Sequence, residues 1–398
     1  MKLIKWKGGN EWLAAFCMLL FSFHLQALPL SEKARISLLT CSQGDELYSC
    51  FGHSGIRVTD PELNADIVFN YGVFDFGQPN FYLNFMSGHM IYSMGIDRYS
   101  DFYDQYVYEQ RDISEQEIVL PLEDKQRIFD FLLNNAKEEN RNYRYDFLFD
   151  NCATRIREVF EKNLGKEMQI DYSSFDKNLS FRDLIDQYSW DKYWENFGMN
   201  LLIGLPVDAK ATPSQQTFLP DYLSKAFANS YFINADGTKR KLCSPPKIVL
   251  KAKPIKDSLS FEITPLIVFL FLFITIALVT FIELRKGFNL YVFDVFLFFV
   301  AGFLGLLFLS LWLFTEHTTT ARNLNLLWAI PTHLFFAFLL LSKRKSNLKR
   351  NYFLVTLVIQ LLFIAFHSFL PQHIQPAMVF ISGILAVRAY RIYKSQIS

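Results

Sequence analysis

Hydrophobic and polar positions divide the chain into three stretches. First, the apolar run WLAAFCMLLFSF follows Lys2, Lys5 and Lys7 and precedes HLQALPLS. A basic start, a run too short for a bilayer span and a small residue at Ala27 predict an export signal over residues 1–27, cleaved after Ala27. Second, residues 28–255 mix polar and apolar positions as one globular domain does. Within it, Ser54–Val58 and Ala65–Gly77 alternate like strands. Farther on, Ile156, Val159, Phe160 and Leu164 recur at helical spacing, with Arg155, Arg157, Glu158 and Lys162 on the other face. Asp150 or Asn151 is the N-cap of that helix.

Third, residues 261–394 carry five apolar segments: Pro265–Leu284, Tyr291–Phe314, Leu324–Ser342, Tyr352–Leu370 and Ala377–Tyr390. Most approach the ~20 residues a helix needs to cross hydrocarbon. Arg285–Gly287, Lys343–Arg350 and the tail with Arg388, Arg391 and Lys394 are basic, whereas Glu316–Asn323 and Pro371–Pro376 are nearly neutral. Basic connections face the cytoplasm, so the globular domain lies outside, in agreement with the export signal. Ser244–Leu259 joins domain to membrane.

Composition adds limits rather than a function. The 42 phenylalanines and the 51% hydrophobic content concentrate after residue 260. A net charge of +1 without a basic stripe excludes nucleic acid as a partner. There is no HExxH or CxxC and no phosphate-cradling glycine loop, so neither a metal nor any other cofactor is expected. Oligomeric state leaves no mark in the sequence.

Two candidate reactive groups stand out. Cys152 falls in the first turn of the predicted helix, where the macrodipole stabilises a thiolate; the bland reading is a small buried hydrophobe. Its partner base is His53, at the start of a strand and beside Gly52 and Gly55. Cys41, Cys50, Cys152 and Cys243 all lie outside the cytoplasm, where two disulfides would abolish thiol chemistry. The reading therefore commits to a free Cys152.

Histidine on a strand, a second polar-bearing strand, then cysteine at a helix start is the order of the circularly permuted papain-like fold of NlpC/P60-related proteins. The whole chain resembles one family more closely. LLTCSQGDELYSCFGHSGIRV, FNYGVFDFG, RYDFLFDNCATRIR, FRDLI, LLIGLPVD, FLPDYL and FTEHTTTARNLNLLWAIPTH occur in order. Together they resemble the Lnb-type lipoprotein N-acyltransferases. That resemblance implies an α+β permuted papain-like thiol domain in the periplasm, followed by an all-α five-helix domain in the bacterial inner membrane. It implies acyl transfer from a phospholipid donor to the α-amine of a diacylglyceryl-cysteine lipoprotein, with Cys152 as nucleophile and His53 as base. Asn70, on the strand after the histidine strand, is expected to orient the imidazole, with Tyr71 and Asp75 as competitors.

In the outer loop, Glu316, Arg322 and Asn323 read as helix-end polarity, whereas His317 and Asn325 are expected to hold a lipid headgroup. Two other functions fit the same residues. One is a thiol phospholipase, thioesterase or cell-wall peptidase. The other is a non-enzymatic membrane assembly protein whose cysteine is structural.

Overall fold

The structure is a computed structural model that describes residues 29–74, 77, 79–252, 262–342 and 344–397. The export signal with Ala27, the end of the domain–membrane join and Asp75 lie outside the described residues.

The outer domain is built on a seven-stranded antiparallel sheet. In chain order its strands are β1 (Arg35–Cys41), β2 (His53–Asp60), β3 (Ala65–Val73), β4 (Ile91–Arg98), β5 (Ile113–Ile118), β6 (Asn142–Arg144) and β7 (Lys247–Leu250). They lie side by side as β7-β5-β1-β2-β3-β4-β6. Six of the seven residues of β1 are buried, as befits a strand in the sheet centre, and β2 beside it carries the predicted alternation. The second predicted strand ends early, at Val73, where a bulge at Gly72 breaks the pairing with β4.

Between β3 and β4 the chain makes helix α1 (Phe81–Ser87); α2 (Tyr99–Tyr108) and α3 (Leu122–Asn135) follow β4 and β5. The predicted cysteine helix is α4 (Cys152–Leu164), and it packs across β2 and β3. Its apolar face is the predicted one: Ile156, Val159, Phe160 and Leu164 are at most 2% exposed. They share a core with Ile56 and Phe69 of the sheet and Ile128 and Leu132 of α3. Burying side chains of this size contributes roughly 1.5–3 kcal/mol each, which fixes the helix on the sheet. Helices α5 (Phe181–Ser189), α6 (Tyr193–Leu202) and α7 (Pro220–Asn229) complete the domain's larger helices.

The membrane region departs from five uniform spans. Helices α8 (Pro265–Lys286), α9 (Tyr291–Phe314) and the stretch Asn347–Phe369, mostly α11 (Asn347–Phe366), are long and apolar enough to cross a bilayer. The third predicted span is broken: residues 318–327 and α10 (Thr332–Leu340) meet at a 43° bend. Pro331, just before α10, lacks the N–H that a continuous helix needs. The fifth predicted span is the 20-residue helix α12 (Pro376–Ser395), which is not among the helices apolar enough to cross a bilayer by composition. Arg388, read from sequence as part of a cytoplasmic flank, is fully buried inside it. Its guanidinium donates to Asp294 at 2.6 and 3.0 Å, to Glu283 at 2.6 Å and to Thr280 at 2.7 Å. A buried cation is tolerable only when so paired, and the cluster ties α8, α9 and α12 together.

Domain and helices meet at the bundle end opposite Arg285, Lys286, Arg350 and Lys394. At that seam Gly204 N–H donates to Thr319 O at 2.8 Å, and His373 N–H to Asp208 Oδ1 at 2.9 Å. Trp194 Nε1 donates to Ile263 O, just before α8, at 3.0 Å. The basic ends therefore point away from the domain, as the charge pattern requires.

Candidate active site

The cysteine turn is held by its cap. Asn151, 4% exposed, accepts the Thr154 N–H at 3.0 Å on Oδ1, while its own N–H donates to the Thr154 hydroxyl at 2.7 Å. The Asn151 side-chain amide donates to Phe147 O at 2.8 Å and Phe218 O at 2.9 Å. Of the two predicted caps, Asn151 is the one that forms. Asp150 instead pairs with Arg155, whose guanidinium lies 4.2 Å over the Tyr143 ring.

Cys152 is thereby set at the first position of α4, half-buried, against the start of β2. His53 stands close enough to the thiol that each group shifts the ionisation of the other. The other side of the imidazole faces Asn70: Nε2 lies 2.7 Å from Asn70 Oδ1. Asn70 Nδ2 donates in turn to Asp97 Oδ2 at 3.1 Å, which orients the amide and makes Oδ1 the acceptor for Nε2–H. That leaves Nδ1 for the cysteine. The bulge at Gly72 has φ +95°, and a Cβ there would lie 3.9 Å from both Cys152 Cβ and His53 Cε1. A left-handed glycine thus keeps the space over the pair open. Tyr143, 8% exposed, has its hydroxyl 4.0 Å from the same point, without a hydrogen-bond partner among the described residues.

The electrostatics single out one thiol. Burial by itself pushes the Cys152 thiol up, but the His53 charge and hydrogen bond, with the Ser54 and Ala153 backbone N–H groups, outweigh it and hold the thiol below 9.0. His53 moves the opposite way, above 6.5: burial opposes its charge, and the Cys152 thiolate and Asn70 favour it more strongly. Each shift runs in the direction in which the charge of one group favours the charge of the other. Burial drives Cys41 and Cys243 to about 12 and Cys50 to about 11, leaving them inert. All four described cysteines are free thiols, so no disulfide competes for Cys152.

The remaining predicted residues fall elsewhere. Tyr71 is buried and its hydroxyl accepts from Asn135 Nδ2 at 3.2 Å, away from His53. His317 donates from Nε2 to Phe85 O at 2.9 Å. Asn325 is fully buried: Nδ2 donates to Leu201 O at 3.2 Å and Oδ1 accepts from Trp328 Nε1 at 2.9 Å. These two residues brace the seam, and the headgroup contact expected of Asn325 has no exposed atom to act through. The outer loop does reach the cysteine turn through other residues. Thr318 donates to Asp146 Oδ2 at 2.9 Å, and Glu316 pairs with Arg144. Sequence reading missed Asp97 and this tie. Asp97 sits in an ordinary alternating strand, and the partners of the tie are 172 residues apart in the chain.

Two models of one family match the chain, one on each side of the domain–membrane join. The family model described as the Lnb N-terminal periplasmic domain matches residues 26–187, and the Lnb transmembrane domain model matches residues 256–397. The chain belongs to the Lnb family. Comparison with curated proteins and with solved structures gave no match. Membership in the Lnb family makes this a membrane protein of lipoprotein biosynthesis, of acyltransferase type, with a periplasmic N-terminal domain.

Proposed function

We propose that this Lnb protein is a lipoprotein N-acyltransferase of the inner membrane that works through a Cys152 thioester. The observation that carries the reading is Cys152 set against His53, whose imidazole is held by the Asn70–Asp97 hydrogen bonds, in a domain fastened beside its cysteine turn to the outer loop of the membrane helices. In the first half-reaction the Cys152 thiolate attacks the ester carbonyl of a phospholipid. The C–O bond breaks, and His53 gives its proton to the departing lysophospholipid oxygen. In the second, His53 takes a proton from the α-ammonium of a diacylglyceryl-cysteine lipoprotein. The amine attacks the thioester, the C–N bond forms, the C–S bond breaks, the thiolate leaves beside the protonated His53, and the second proton of the nitrogen passes to water. The Cys152 backbone N–H at the helix start and the Tyr143 hydroxyl are the donors for the oxyanion of both steps.

A membrane acyl donor also favours transfer over cell-wall peptidase chemistry, because the site is tied to the lipid surface. For the membrane region the same reading takes α8, α9, the bent pair, α11 and α12 as five passes, which puts the chain's end in the cytoplasm. Mass spectrometry of lipoprotein N-termini in cells carrying only the wild-type or only the Cys152→Ala protein tests the function. N-acylated termini are expected with the first and free α-amines with the second. Free amines in both would overturn it.

A further inference from the structure

The β3–β4 connection carries a feature the catalytic reading does not use. Helix α1 is only seven residues long, yet Tyr82, Leu83, Phe85 and Met86 are 75, 64, 51 and 60% exposed. A short helix facing water has no reason to present four large apolar side chains on so small an area. Nor is the helix placed at random. Ser87 O accepts the Glu316 N–H at 2.9 Å, and His317 binds Phe85 O. His89 reaches Glu316 at 2.9 Å, and a Cβ on Gly88 would lie 2.8 Å from His317 N.

Glu316 stands two residues beyond Phe314, the last residue of the spanning helix α9, where Leu313 and Phe314 are 57 and 78% exposed. Two residues of chain reach at most about 7 Å. The polar interfacial layer of a bilayer is itself roughly 5–7 Å thick on each side. Helix α1 is therefore held within reach of the point where α9 leaves the hydrocarbon.

We propose that α1 is a membrane-inserting foot whose Leu83 and Met86, flanked by Tyr82 and Phe85, enter the acyl region of the outer leaflet. The occupant of this surface is bilayer phospholipid. Strand β3, which carries Gly72 over the Cys152–His53 pair, ends at Val73, eight residues before α1 begins at Phe81. Side chains wedged into the leaflet at that point loosen the packing of a phospholipid directly below the thiol. This second part, delivery of the acyl donor, rests on the acyltransferase reading; the insertion itself does not.

The test uses the full chain in vesicles of phosphatidylcholine and phosphatidylglycerol. Cys17 and Cys152 are replaced by alanine, and a nitroxide is attached at Met86→Cys; Cys41, Cys50 and Cys243 are buried. Labels at Phe303→Cys on α9 and at Tyr108→Cys, 90% exposed on α2, serve as lipid and water references. The Met86 label is expected to collide with oxygen several-fold more often than with a water-soluble nickel chelate, as at Phe303. Behaviour like Tyr108, or shielding from both quenchers by protein, overturns the insertion. In a second arm Leu83→Asp with Met86→Asp, otherwise wild type, is expected to slow acyl transfer from vesicle phospholipid at least tenfold while iodoacetamide labels Cys152 at the normal rate. Normal transfer by that variant overturns the delivery role. If the wild type itself moves no acyl group while the label reports insertion, the acyltransferase reading fails and the foot stands.

Discussion

Asn151→Ala tests whether the cysteine turn is held as described. The substitution removes the side-chain acceptor for Thr154 N–H and both donors to the carbonyls of Phe147 and Phe218. Loss of the N-cap costs about 1 kcal/mol. Each buried carbonyl left without a partner costs at least about 1 kcal/mol more, so the sum is about 3 kcal/mol. For a domain of this size each kcal/mol lowers Tm by about 2–4 °C, which gives a fall of roughly 6–12 °C. Asn151→Asp separates the terms, because it keeps the cap acceptor but sets a carboxylate oxygen against the two carbonyls. It is expected to lose at least as much as the two lost donors are worth, about 2 kcal/mol, despite its better match to the helix dipole. Thermal unfolding of the detergent-solubilised full chain, followed by tryptophan fluorescence, measures both. A Tm within 1 °C of wild type for Asn151→Ala would refute the reasoning, since a cap this buried cannot be replaced by water.

Three further outcomes follow from the same geometry. In the wild type the iodoacetamide reactivity of Cys152 should rise with pH at a midpoint below 9.0; His53→Ala removes the main lowering influence and leaves burial, so the midpoint should move above 9.0. An unmoved midpoint would show that His53 does not govern the ionisation of Cys152. Asp97→Ala frees the Asn70 amide and should lower kcat by about tenfold, the equivalent of one hydrogen bond to a charged group, with little change in KM; an unchanged kcat counts against the orienting series. At the seam, Gly204→Ala would put a Cβ 2.1 Å from Ala321 O, so the turn and the outer loop must separate. Overpacking of this kind costs about 1–3 kcal/mol, and protease cleavage between domain and helices should accelerate accordingly; unchanged cleavage would show that the seam yields elsewhere.

Residues whose role depends on local spacing were legible in the sequence. The apolar face of α4 and the position of Cys152 follow from a 3.6-residue period and a cap. His53 at a strand start and the polarity of the membrane ends follow from alternation and charge. What depends on distant partners was not. Nothing local marks Asp97 as the anchor of Asn70, and Asn325 carries no sign that it is buried against Leu201. The residue types at His317 and Asn325 suggested a ligand, whereas the fold uses the first to hold α1 and the second to brace the seam. Arg388 shows the same limit from the other side: a cation near the end of an apolar segment reads as a flank until Glu283 and Asp294, about 100 residues away, are seen to enclose it.

The central claim is that Cys152 carries the acyl group, and intact-mass analysis of the protein tests it most directly. Wild-type protein incubated with phospholipid vesicles, without an amine acceptor, should gain one acyl mass on the peptide containing Cys152. Neutral hydroxylamine should remove it, and Cys152→Ala should gain nothing. If no adduct forms on the wild type while Cys152→Ala still acylates lipoproteins, acyl transfer does not pass through this thiol.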